Sequence, residues 1–204
     1  MPSRNVIKQD AAETYYHVYG RGVSKQSIFV ERADYQYFLT LFARYLSANP
    51  QLSRAGVAYP HYKGKIDLLA YCLMGNHFHL FVYQHQNSTM RDLMRAVLNS
   101  YTIYFNRKYE RTGSLLESTY KAVSIISETH LIHISRYIHL NPRYWKRYPY
   151  SSIRAYLTGE APQWLQPQPV LDQFESLEEY RIFLEDYSIH KEILEEIKYS
   201  LADR

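Results

Sequence analysis

The sequence predicts an α+β sandwich, an antiparallel sheet with helices on one face, and three observations support this fold class. Segments with strand-like and helix-like hydrophobic patterns follow one another along most of the chain. A turn signal, Gly75-Asn76, joins two of the strand-like segments into a hairpin. The 204 residues are enough for one hydrophobic core of ordinary size.

Four strands and three helices are predicted before residue 141. The strands are short apolar or β-branched segments bounded by turn residues, at 14–19, 66–74, 77–83 and 120–126. Helices are predicted where apolar residues recur every three or four positions, at 33–46, 89–109 and 127–140. The order strand, helix, two strands, helix, strand is typical of a ferredoxin-like sandwich. The sheet face opposite the helices would then be open to an ion and a substrate.

The rest of the chain is predicted to be a C-terminal helical extension. A short helix is expected after Ser152, followed by a proline-bearing linker from Ala161-Pro162 to Pro169. An acidic amphipathic helix is predicted from about Leu177 to Leu201. We therefore divide the chain into a principal domain, residues 1–159, and an extension, residues 160–204.

Charge divides along the same boundary. Residues 1–159 carry 20 Lys and Arg against 9 Asp and Glu, whereas residues 160–204 carry 4 against 11, and the whole chain has net charge +4. A basic body of this size favours a polyanionic partner, because each neutralised phosphate releases condensed counterions. The 22 tyrosines add flat rings suited to stacking on bases, although most are expected to be core and rim residues.

The sequence predicts a cytoplasmic protein with no membrane partner. Its single cysteine, Cys72, excludes an intramolecular disulfide framework and fits a reducing compartment. No apolar stretch approaches the roughly 18–20 residues that a membrane span needs.

Two histidines in the third predicted strand form the most informative motif. Successive strand side chains point to opposite faces, so His77 and His79 project together while Phe78 and Leu80 face the other way. Two imidazoles at this spacing can bind a divalent cation and leave other coordination positions open for substrate. The motif therefore predicts a metal centre on the sheet.

A second motif lies at the end of the third predicted helix. Its apolar stripe can pack on the sheet and consists of Leu131, Ile134 and Ile138. Tyr137 and Asn141 lie one turn apart on a separate polar stripe, so their functional groups can reach the same point. An Asn carbonyl oxygen suits a hard cation as a third ligand, and a phenol beside that cation suits nucleophilic attack on a phosphodiester.

Six basic residues are candidate phosphate contacts on a bound nucleic acid. They are Arg21, Arg91, Arg95, Lys108, Arg111 and Lys121. We expect about half of them to be ordinary solvated charges instead.

These motifs resemble the HUH single-tyrosine transposases, and within them the REP-associated tyrosine transposases and related insertion-sequence transposases. The resemblance covers roughly residues 14–155 and consists of segments in family order: Gly20-Arg21-Gly22 with Ile28-Phe29, Met74 to His79, Arg111 to Leu115, Arg136 to Pro142, and Tyr148 to Ser152. His-hydrophobic-His alone is a weak signal, but the ordered set is specific. The resemblance implies that residues 1–159 form a transposase domain.

The resemblance also implies a specific chemistry. His77, His79 and Asn141 would bind Mg²⁺ or Mn²⁺, and the Tyr137 hydroxyl would attack a phosphorus of single-stranded DNA. A 5′-phosphotyrosine link and a free 3′-hydroxyl would result, and a later attack by a 3′-hydroxyl would rejoin strands without ATP. Family substrates are single strands that fold into short imperfect hairpins, REP-like or from element ends. Family members act as monomers or as homodimers that exchange tyrosines.

Two functions of other classes remain open on the sequence. A non-catalytic single-stranded nucleic-acid-binding module of the same fold would present stacking aromatic residues on its central strands. A metal-dependent phosphodiester hydrolase would use His77 and His79 with a carboxylate and an activated water. Asp67 is the nearest candidate carboxylate, but it lies at the far end of its strand, and a hydrolase has no need of Tyr137.

Overall fold

The computed structural model describes residues 10–125 and 128–186, and in them four strands form one antiparallel sheet. The strands are β1 (Thr14–Arg21), β2 (Ile66–Met74), β3 (His77–Gln84) and β4 (Lys121–Ile125), in the order β2-β3-β1-β4. The helices are α1 (Arg32–Leu46), α2 (Thr89–Lys108), α3 (Glu128–Leu140), α4 (Ile153–Thr158), α5 (Gln168–Leu171) and α6 (Leu177–Glu185). The predicted α+β class with an antiparallel sheet is confirmed.

The predicted hairpin joins β2 to β3 at Gly75-Asn76. The Gly75 carbonyl oxygen accepts hydrogen bonds from the backbone N–H groups of Ile28 (2.8 Å) and Phe29 (2.9 Å). These bonds fix the turn to the segment that follows β1. The start of β3, where the histidine motif lies, is therefore held in place from outside the hairpin.

One face of the sheet packs against α1 and α2 and forms the larger core. Both helices contribute apolar side chains at three- and four-residue spacing, as their sequence patterns predict. The buried residues in this core include Tyr16, Val18, Phe38, Leu41, Phe42, Phe78, Leu80, Leu93 and Val97. Removing these side chains from water is the main stabilising contribution to this half of the fold.

A buried carboxylate joins the start of α1 to the end of α2. Asp34 is fully buried and accepts hydrogen bonds from Lys108 Nζ (2.5 Å), the Tyr109 hydroxyl (2.7 Å) and the Tyr104 hydroxyl (3.0 Å). Burial alone would raise the pKa of Asp34, but its hydrogen bonds lower that pKa below the ordinary value. The carboxylate therefore stays charged and ties the two helices together.

The opposite face of the sheet is also partly covered by helices, where the prediction placed none. α3 packs on β2 and β3 through its predicted apolar stripe, and α5 packs on β2. The second core comprises residues of both layers, among them Leu69, Cys72, Phe81, Ile134, Ile138, Val170 and Leu184. Apolar side chains on both faces of β2 and β3 require cover on both faces, because each would otherwise remain in water.

The predicted extension contributes to both cores, with Leu165 in the larger one and Tyr180 in the second. Leu165 forms a parallel bridge to Leu68 of β2, and Tyr180 of α6 is fully buried. α6 begins after Ser176, whose hydroxyl accepts a hydrogen bond from the N–H of Glu179 (3.1 Å), a standard N-cap. The remainder of the predicted terminal helix and Ile126 of the predicted fourth strand lie outside the described residues. Within the described ranges, no helix is long and apolar enough to cross a membrane.

Gly20 allows β1 to approach β3 closely. It is the cross-strand partner of Phe78, and a Cβ atom on Gly20 would lie only 2.7 Å from Cε1 of Phe78. The Phe78 ring therefore lies against the Gly20 backbone. This contact is on the α1–α2 face, opposite to the side chains of His77 and His79.

Candidate active site

Cross-strand pairing brings the two histidines and two of the predicted basic residues to one end of the second face. Arg21 of β1 pairs with His77 of β3, and Tyr19 pairs with His79 on one side and with Lys121 of β4 on the other. Directly opposed residues of an antiparallel pair share a face. Arg21 and Lys121 therefore flank the imidazoles, and Lys121 Nζ lies 5.8 Å from the centre of the Tyr19 ring.

The end of α3 lies beside His77. Nε2 of His77 is 3.3 Å from Oδ1 of Asn141, and Nδ1 of His77 is 2.6 Å from Oδ1 of Asn76. Adjacent ligands of one octahedral Mg²⁺ or Mn²⁺ are about 3 Å apart. The separation of His77 and Asn141 therefore suits ligation of one cation by both residues.

Tyr137 lies one helical turn before Asn141, and its ring meets the imidazoles. The ring centre is 5.3 Å from that of His79 and 5.8 Å from that of His17, with both pairs edge to face. Tyr137 is only 6% exposed. The structure thus brings Tyr137, Asn141, His77 and His79 together within one chain, in the arrangement that the helical spacing predicts.

His17 of β1 is a third histidine at the site, and sequence reasoning missed it. Its Nε2 lies 2.9 Å from Nδ1 of His79, and the two rings stack with centres 5.1 Å apart. Burial lowers the pKa of His17 well below its usual value, and the neighbouring His79 lowers it further. His17 is therefore neutral, so one nitrogen of the pair donates and the other accepts. The sequence places His17 in the first predicted strand, but no local pattern there distinguishes it as a site residue.

The donor set fits a divalent cation. Two imidazoles suit transition metals such as Mn²⁺, and an amide oxygen suits harder cations. Within residues 10–125 and 128–186, no group of three or more His, Cys, Asp and Glu side chains could hold a metal ion. The oxygen of Asn141, 3.3 Å from Nε2 of His77, is a candidate third donor beside the two imidazoles. Because Nδ1 of His79 is hydrogen-bonded to His17, ligation by His79 would use Nε2.

The other four predicted phosphate contacts lie on or next to α2, on the far side of the sheet: Arg91, Arg95, Lys108 and Arg111. The side chains of Arg91 and Arg95 are exposed and lie near Asp92. Lys108 forms ion pairs with Glu31 (2.7 Å) and Asp34 (2.5 Å). The structure does not bring these four residues together with the histidines.

Asp67, the carboxylate considered for a hydrolase, is remote from the histidines. It pairs across the sheet with Tyr83, whereas the partner of His79 is Cys72. The Asp67 carboxylate lies 2.7 Å from Nε2 of His85 at that distant end. This arrangement removes the specific residue on which the hydrolase alternative depended.

Comparison with known proteins gives one family and one fold. The family model for IS200-like transposases matches residues 57–141, a segment that contains His77, His79, Tyr137 and Asn141. A solved REP-associated tyrosine transposase bound to a REP hairpin is similar with a TM-score of 0.55 at 12% identity, over 80% of this chain and 92% of that chain. Identity this low shows a shared fold alone, and no curated protein matches the chain significantly. Residues 57–141 are thus similar to the IS200-like transposases, and the chain shares the fold of a REP-associated tyrosine transposase.

Proposed function

We propose that the chain cleaves and rejoins hairpin-forming single-stranded DNA, with Tyr137 as the nucleophile. The proposal is supported by the match of residues 57–141 to the family model for IS200-like transposases. The observation that supports this particular chemistry is the edge-to-face contact of the Tyr137 ring with His79, beside the pair formed by His77 and Asn141. A nucleophile candidate and three metal-ligand candidates thus share one site.

We further propose that His77, His79 and Asn141 hold Mg²⁺ or Mn²⁺. When bound, the cation polarises a phosphoryl oxygen and offsets the charge that develops there during displacement. The two imidazoles favour Mn²⁺ over Mg²⁺. His17 acts as a positioning residue, because its hydrogen bond to Nδ1 of His79 orients that ring.

The proposed reaction forms one bond and breaks one bond in each step. The Tyr137 oxygen attacks phosphorus, and the bond from phosphorus to the 3′ oxygen breaks, which leaves a 5′-phosphotyrosine and a free 3′-hydroxyl. The phenol loses one proton and the departing oxygen gains one. Attack by a 3′-hydroxyl on the phosphotyrosine reverses the exchange, so the energy of the phosphoester is kept and no ATP is needed.

The flanking basic residues are proposed to contact the DNA backbone. Arg21 and Lys121 lie on either side of the imidazoles on one sheet face, where phosphates next to the cleavage point would lie. The relative of the same fold was solved with a REP hairpin, which supports a hairpin as the form of the substrate. Because one chain supplies Tyr137 and all three ligand candidates, we propose that a monomer is sufficient for cleavage.

The test uses labelled single strands that carry hairpins from the DNA flanking the gene. With Mn²⁺, the wild-type protein should form a covalent protein–DNA adduct that survives denaturing electrophoresis. Tyr137→Phe removes only the attacking oxygen, so the adduct should disappear while binding, measured by fluorescence anisotropy, persists. Tyr15→Phe, on the same sheet face, is the matched control and should retain the adduct. Adduct formation by Tyr137→Phe would remove the nucleophile assignment.

A further inference from the structure

Residues 143–147, which follow Asn141 closely in the sequence, line a surface cleft of about 360 Å³. We call it the 143–147 cleft; its residues are Arg143, Tyr144, Trp145, Lys146 and Arg147. Tyr144 is 75% exposed, the highest value among the exposed large hydrophobic residues of the described ranges. An aromatic ring left in water at the edge of a site is a typical interaction residue.

The 143–147 cleft is fixed at both ends to the His77 end of the site. On one side, Asn141 lies 3.3 Å from His77. On the other side, the Tyr148 hydroxyl donates a hydrogen bond to the Leu73 carbonyl (2.7 Å), across from the start of β3. Five residues span at most roughly 17 Å even when fully extended. The cleft therefore stays close to the point where a phosphate would be cleaved.

The 143–147 cleft combines cations with the exposed ring. The Arg143 guanidinium lies 5.6 Å from the centre of the Tyr144 ring. Lys146 pairs with Glu185 (2.7 Å), whereas Arg143 and Arg147 form no ion pair within the part of the chain that the structure describes. Exposed aromatic rings beside unneutralised cations are the composition of surfaces that hold single-stranded nucleic acid. The rings stack on bases, and the cations contact phosphates.

We propose that the 143–147 cleft binds a nucleotide of the single strand next to the cleavage point. The base lies on the Tyr144 ring, and the adjacent phosphates contact Arg143 and Arg147. This inference rests on the proposed function, since it requires single-stranded DNA at the site. Because every base has a flat face, such stacking is tolerant of sequence, and the cleft holds the strand without selecting a base.

The experiment compares two fluorescein-labelled oligonucleotides with the same hairpin, one with a single-stranded extension of roughly ten nucleotides and one without. Tyr144→Ala should weaken binding of the extended oligonucleotide about tenfold to a hundredfold and leave the other unchanged. Tyr144→Phe keeps the ring and should bind as the wild type does. Arg143→Gln should reduce the slope of log K against log salt by about one. Arg54→Gln, at an exposed arginine in the loop before β2, should leave that slope unchanged.

Two outcomes overturn the cleft assignment: Tyr144→Ala binds both oligonucleotides as the wild type does, or it weakens both equally. The covalent-adduct assay on the same samples tests the proposed function separately. An adduct without an effect at Tyr144 rejects the cleft alone, whereas a Tyr144 effect without any adduct rejects the chemistry and supports the cleft. Because Tyr144 is largely exposed, its replacement should leave the melting temperature unchanged, which separates a lost contact from a lost fold.

Discussion

His17 and His79 stack with ring nitrogens 2.9 Å apart, and this contact joins β1 to the strand that carries both candidate imidazole ligands. If His79 ligates a cation through Nε2, its Nδ1 carries a proton and donates it to Nε2 of the neutral His17. Nδ1 of His17 is buried and has no hydrogen-bond partner among the described residues. A buried polar group without a partner lowers the free energy of unfolding by about 1–3 kcal/mol. Stability alone therefore does not explain why residue 17 is a histidine.

Replacing His17 should therefore weaken metal binding without weakening the fold. His17→Phe keeps a flat ring and removes the acceptor, so Mn²⁺ affinity, measured by electron paramagnetic resonance of free Mn²⁺, should fall about tenfold to a hundredfold. The free energy of unfolding should change little, because the unpaired Nδ1 of His17 is removed while Nδ1 of His79 loses its bond to His17. His17→Gln returns an acceptor and should recover part of the affinity. Unchanged Mn²⁺ affinity in His17→Phe would contradict the positioning role.

Asn141 should respond to substitution as a ligand does. Asn141→Leu removes the oxygen, so the Mn²⁺ concentration needed for half-maximal adduct formation should rise at least about tenfold. Asn141→Asp keeps an oxygen and adds a charge, so it should retain activity and bind Mn²⁺ more tightly. If both variants require the same Mn²⁺ concentration as the wild type, Asn141 is not a ligand.

Asp34 and Lys108 should be coupled in stability. Asp34 is fully buried beside the Lys108 ammonium, so Asp34→Asn removes the negative charge that pairs with this ammonium. The free energy of unfolding, from urea titration, should fall by about 3 kcal/mol. Lys108→Met should also destabilise, and the double variant should lose less than the sum of the two. Additive losses would show that the pair is not coupled.

Lys108 is also one of the predicted phosphate contacts, and Lys108→Met tests that prediction as well. A contact with DNA would make Lys108→Met lower the salt slope of binding by about one. Arg21→Gln provides the comparison, because Arg21 lies beside His77 on the candidate DNA face. We expect the salt slope of DNA binding to fall for Arg21→Gln. An unchanged salt slope for Lys108→Met would show that Lys108 has a structural role alone.

His139 should make stability depend on pH. Burial lowers the pKa of His139 from 6.5 to about 3, and its ring bridges the Tyr180 hydroxyl (2.8 Å) and Ser152 Oγ (2.7 Å). Between these two pKa values the unfolded chain binds a proton that the folded chain does not. The contribution of His139 to the free energy of unfolding is therefore fully present above pH 6.5. It falls by about 1.4 kcal/mol per pH unit as the pH is lowered.

The check is the free energy of unfolding of the wild type and of His139→Gln, measured by urea titration between pH 7 and pH 4. The variant should be less stable at pH 7 but should lose less stability on acidification. The free energy of unfolding of the variant should still depend on pH, because the pKa of His17 is also lowered by burial. Parallel curves for the two proteins would exclude His139 as a source of the pH dependence.

The elements were largely predictable because their signals are local. The continuous apolar run that ends at Met74, the Gly75-Asn76 turn and the alternation after His77 define β2 and β3 without reference to the rest of the chain. α5 was not predicted, because it is one turn long and lies among prolines. The prediction that the second sheet face is free of helices was wrong. The apolar stripe on α3 indicates that this helix packs on the sheet, but it does not indicate on which face.

The site was predictable where helical or strand spacing alone defines a neighbour. Tyr137 with Asn141, and His77 with His79, are such pairs. His17 is separated from His79 by 62 positions, and the two meet only through the register of β1 on β3. A lone histidine in a tyrosine-rich strand has no periodicity that would single it out. Long-range register is the physical information that one sequence lacks.

The close fit of Gly20 beneath Phe78 has a consequence for how this protein can diverge. Any side chain at residue 20 would need the space that Cε1 of Phe78 now occupies, 2.7 Å from the position of the new carbon. Phe78 sits between both imidazole-bearing positions, so displacing its ring would tilt them relative to each other. The face of the sheet opposite the candidate site therefore also limits which substitutions the protein can accept.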